Sequence, residues 1–148
     1  MPPAIFHVTV PKNTPKDNPI EQDFELEGRL LYRYQVIFPD GCAQLVGVQL
    51  FYGEDQILPT NRGEWLTGNN EIFNDDIYWE LPEGKIKLKA YLYNEDEIFD
   101  HTITFRFFVI KEKYHKPYYD IIKLLYLIFR KLDEAFGGEV KISPPKVE

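Results

Sequence analysis

Three histidines, one cysteine and three acid-rich runs are the residues of this chain best suited to chemistry. His7, His101 and His115 are far apart, so a metal site would need the fold to gather them. Pairing of the first and last strands could bring His7 and His101 together. Cys42 follows the turn residues Pro39-Asp40-Gly41. As a nucleophile it would need a histidine from elsewhere, and no local signature supplies one, so it reads as a small buried residue. The acid runs are Glu54-Asp55, Asn74-Asp75-Asp76, and Asn94-Glu95-Asp96-Glu97 with Asp100. Hard cations take such oxygens, but none of the runs has EF-hand spacing, and solvated turns are the plainer reading. There is no glycine-rich phosphate loop, no GxSxG, and no carboxylate pair placed for glycoside hydrolysis. These residues lead us to expect no enzyme, no cofactor and no metal. Trp65 and Trp79 are candidates for a ligand loop, because sugars stack on exposed rings.

The elements that must position these groups alternate with period two. Ile86, Leu88, Ala90 and Leu92 interleave with Lys85, Lys87, Lys89 and Tyr91; Ile103, Phe105, Phe107 and Val109 interleave with Thr102, Thr104, Arg106 and Phe108. Each set lies on one face of a strand. The acidic loop between the two runs predicts a hairpin. Further strands are predicted at 4–10, 20–27, 29–38, 45–52, 56–58 and 71–81, the last with a break at Asn74-Asp75-Asp76. On the third, Leu30, Tyr32, Tyr34, Val36 and Phe38 share one face. No strand is followed by a helix, which excludes a parallel α/β sheet. The expected fold is mainly β, an antiparallel sandwich of jelly-roll or immunoglobulin-like type with one C-terminal helix. The row Lys85, Lys87 and Lys89 reads as a sheet edge kept from aggregating.

The character changes after residue 112. The expected organisation is a sandwich domain over 1–112, a charged hinge over 113–116, an amphipathic helix over 117–136 and a loose polar tail over 137–148. Along the helix Tyr118, Ile121, Leu125, Ile128, Leu132 and Ala135 step by threes and fours. Ile122, Phe129 and Phe136 flank that seam on one side and Leu124 on the other, while Lys116, Lys123 and Arg130 line the opposite side. Gly137-Gly138 predicts the stop. Tyr118, Ile121, Ile122, Leu125, Ile128, Phe129, Leu132 and Phe136 are therefore the candidate interface. The occupant is expected to be a second copy of the chain or another structural protein. Folding back on the sandwich and lying on a membrane surface are the alternatives.

A formal charge of −7 argues against nucleic acid, whose binders need a basic surface. A hydrophobic fraction of 44% allows a real core. One cysteine excludes an internal disulfide, so packing alone must hold the fold. The N-terminus has no basic region before an apolar run, so no secretory signal peptide is expected.

VPKNTPKDNP (Val10–Pro19), FPDGCAQLVGVQL (Phe38–Leu50), QILPTN (Gln56–Asn61) and YNEDEIFDHTITFRFFVI (Tyr93–Ile110) carry a resemblance. In them the chain resembles small β-sandwich structural proteins, of decoration or fibre type, from tailed virus particles. That resemblance implies a non-catalytic subunit that works by repetition, binding a lattice, a tail partner or a host surface. The helix departs from the plainest such domains.

Overall fold

The computed structural model describes residues 3–137, with side chains described for 3–111 and 120–137. Among these residues nine strands form two antiparallel sheets and one helix follows. The strands are β1 (Ala4–Val10), β2 (Ile20–Glu27), β3 (Leu30–Phe38), β4 (Val46–Tyr52), β5 (Asp55–Leu58), β6 (Leu66–Thr67), β7 (Glu71–Glu80), β8 (Lys85–Asn94) and β9 (His101–Ile110); the helix is α1 (Glu112–Ala135). One sheet has the order β1-β9-β3-β7, the other β2-β8-β4-β5, with β6 also on β4. First pairs with last, second with second-last, third with third-last. That nesting is the jelly-roll order, and it decides between the two expected sandwich types.

The predicted hairpin over 85–110 does not form. β8 and β9 lie in different sheets, and the 95–100 loop arches between them. Alternation gives each strand a buried face but does not say which sheet it joins. β7 also passes unbroken through Asn74-Asp75-Asp76. There Arg33 pairs with Asp76 and Gln35 donates to Asn74, so polar groups that read as a turn are cross-strand pairs.

The core lies between the sheets. Phe24, Phe105 and Phe107 are fully covered there, with ring centroids 4.8–6.4 Å apart. Val8, Val36, Leu50, Leu88 and Leu92 complete the layer, as their parity predicts. β3 departs from its predicted face. A register shift between Leu31 and Arg33 buries Leu31 completely and leaves Tyr32 half-buried against Phe108. A one-residue bulge flips the alternation on one side of it.

The Lys85–Lys89 row is a further correction. β8 is an interior strand flanked by β2 and β4. Its lysines face the acids of edge strand β2, with Lys87–Asp23 at 3.6 Å and Lys89–Glu21 at 3.4 Å. They neutralise an acidic edge rather than guard one of their own.

The helix begins at Glu112, so the predicted 113–116 hinge is helical and Pro117 falls beyond the first turn. It ends on schedule. Gly137 takes φ 92°, and the Phe136 N–H reaches back to the Leu132 carbonyl at 3.0 Å. The predicted tail beyond 137 lies outside the described residues.

Candidate functional site

The jelly-roll connections give the molecule two ends. At one, the loops at 11–19, 39–45, 68–70 and 95–100 come together; at the other, β9 leaves the sandwich and becomes α1.

At the helix end the candidate interface is bare. Ile121, Leu124, Leu125, Leu127, Ile128, Phe129, Leu132 and Phe136 are 46–78% exposed. The helix therefore does not fold its apolar side onto its own sandwich. Ile122 is half-buried; the side chain of Tyr118 is outside the described set. Leu127 was not among the candidates, because it sits beside the Lys123–Arg130 line; its signal was the unbroken apolar run from 124 to 129. Arg130 pairs with Glu134 one turn on, at 3.3 Å. No helix among the described residues is long and apolar enough to cross a membrane.

At the loop end, a buried polar network holds the 95–100 arch. Asn94, fully buried, donates to the carbonyls of Val10 and Phe99 and accepts from the Asp96 N–H. One Asp96 oxygen accepts the N–H groups of Ile98 and Phe99, at 2.8 and 3.1 Å. The other accepts from His101 Nε2 at 2.8 Å. The Ile98 N–H and the His101 ring, in that order, hold the Asp96 carboxyl below its ordinary range against the opposing effect of burial. The result is a fixed loop that presents Ile98 and Phe99, 70% and 62% exposed, among Glu95, Glu97 and Asp100. The acid run was read as a solvated turn. The signal for the network was parity: His101 falls in phase with Ile103 and Phe105, so it faces inward and needs a partner.

The first and last strands do pair, as expected for gathering the histidines, but they do not gather them. His7 lies opposite Thr104 and His101 opposite Val10. The offset of three puts the two rings on opposite faces: the exposed His7 bonds the Thr104 hydroxyl through Nδ1, while His101 is buried. No group of three potential ligands gathers among the described residues. Cys42 is fully buried, and burial, with the Asp96 charge, pushes its thiol up. A thiol kept protonated and covered is a poor nucleophile.

The two tryptophans do not share a site. Trp65 stacks edge-on against Tyr93 at 4.8 Å, and Trp79 against Tyr52 at 4.9 Å. Trp79 lines a pocket of about 240 Å³ with Tyr52, Leu81, Pro82, Glu83, Lys85 and Ile86, at the helix end of the sandwich; Trp65 is not part of its lining. Small-molecule sites usually measure roughly 300–1,000 Å³. No family model and no curated protein sequence matches the chain.

Proposed function

We propose that this is a non-catalytic assembly protein, a jelly-roll subunit whose C-terminal helix associates with copies of itself. One observation carries the reading: eight large apolar side chains of the helix stand 46–78% exposed beside a sandwich whose own core is already closed. An amphipathic helix with so wide an apolar face covers that face in its working state. Covering a Leu, Ile or Phe fully is worth roughly 1.5–3 kcal/mol. These are about half covered already, so each contributes on the order of 1 kcal/mol. The whole face contributes about 8 kcal/mol per copy, against roughly 4–15 kcal/mol for the freedom lost on association. The jelly roll is used by viral capsid subunits, which fits the likeness to particle proteins; fold alone does not carry function.

The test is Leu125→Asp with Ile128→Asp. Light scattering should show a multiple of the chain mass for the parent and one copy for the variant, with the far-ultraviolet β signal retained. Equal masses would sink the reading.

Jelly rolls also serve as lectin domains, and the Tyr52–Trp79 pocket favours a carbohydrate-binding module as the second reading. A glycan screen separates the two. Loss of a bound glycan on Trp79→Ala, with Trp65→Ala checked alongside, is expected only for a sugar site.

A further inference from the structure

We infer that the helix is closed by copies of itself in a bundle of three or four, not by a single partner helix. This rests on the self-association reading above and goes further than it. Leu125 and Leu132 occupy the first core position of a heptad, and Ile121, Ile128 and Ala135 the second. Leucine at the first position with isoleucine at the second shifts parallel coiled coils from two strands to three or four. The width of the apolar face agrees. Beside the core positions, Phe129 on one margin is 51% exposed and Leu124 on the other is 58% exposed. A two-stranded coil leaves those margins wet and normally fills them with Glu and Lys. A third and fourth helix cover them.

The cations obey the same geometry. Lys123 and Arg130 take the position farthest from the core, and Arg130 is tied to Glu134 across that outer surface. Such a bundle puts Lys123 and Arg130 outside and the Leu–Ile seam within, and Leu127, next to the cations, stays at its outer edge. A lipid surface would be indifferent to which core position holds leucine and which isoleucine.

Sedimentation equilibrium of the full chain tests this. The expected mass is three or four times 17.5 kDa. Two copies would overturn the bundle and leave the self-association reading standing. One copy at every concentration would overturn both, and flotation with mixed phosphatidylcholine–phosphatidylserine vesicles would then assign the face to lipid. Phe129→Lys provides the second arm. A bundle buries that margin, so its dissociation midpoint should move to at least about tenfold higher concentration. An unchanged midpoint is what a two-stranded coil would give, and it would overturn the bundle.

Discussion

At the residue scale, the buried polar groups have structural partners. Asp96 is the clearest, with two N–H groups and the His101 ring converging on its carboxyl. Its folded-state value lies below the unfolded one, so its contribution is complete above the ordinary carboxylate range and is lost as pH falls through the folded value. The urea midpoint should therefore drop from about pH 6 to about pH 3, and Asp96→Asn should flatten that drop. An equally steep drop in the variant would remove Asp96 from the account. Cys42 gives a second test. Its covered, protonated thiol should react with a thiol reagent only at the rate of unfolding; fast labelling of the native protein would contradict its burial. Gly47 gives a third. A Cβ there would overlap the Tyr93 ring, which Trp65 buttresses from its own side. Gly47→Ala should cost about 1–3 kcal/mol by chemical denaturation, and an unchanged midpoint would mean that the Tyr93 ring gives way.

At the scale of elements, most of the chain was legible because burial follows parity. Ile86, Leu88, Ala90 and Leu92 all point where period two puts them. Sheet membership was not legible. A run such as Glu95–Asp100 can close a hairpin or arch between sheets, and only the partners of β8 and β9 decide. The Leu31 bulge was hidden too, since Leu31 and Tyr32 are both apolar enough to face inward. The helix stop at Gly137 was readable from its chemistry. Its start was not, because Lys111 provides no side-chain cap. Of the candidate site, the seam from Ile121 to Phe136 was visible in the spacing, whereas the Asn94–Asp96–His101 network needed the arch. Core packing should behave conventionally: Phe24, wedged between Phe6, Phe105 and Phe107, should cost about 3–5 kcal/mol on replacement by Ala.

At the scale of the whole molecule, the chain is polarised. The jelly-roll nesting sends four loops to one end and the helix to the other. If helices join copies at one end, the opposite ends, each with its rigid Ile98–Phe99 tip, are displayed together. Repetition of that kind raises avidity for a repeated partner without any new contact. That reading depends on the helix being an assembly element rather than an ornament of a monomer.

The most direct test is sedimentation velocity of the full chain beside a chain ending at Lys111, over a wide concentration range. The account predicts a multiple of the single-chain mass for the full protein and a folded single copy for the shortened one. A full chain that sediments as one copy throughout would contradict it.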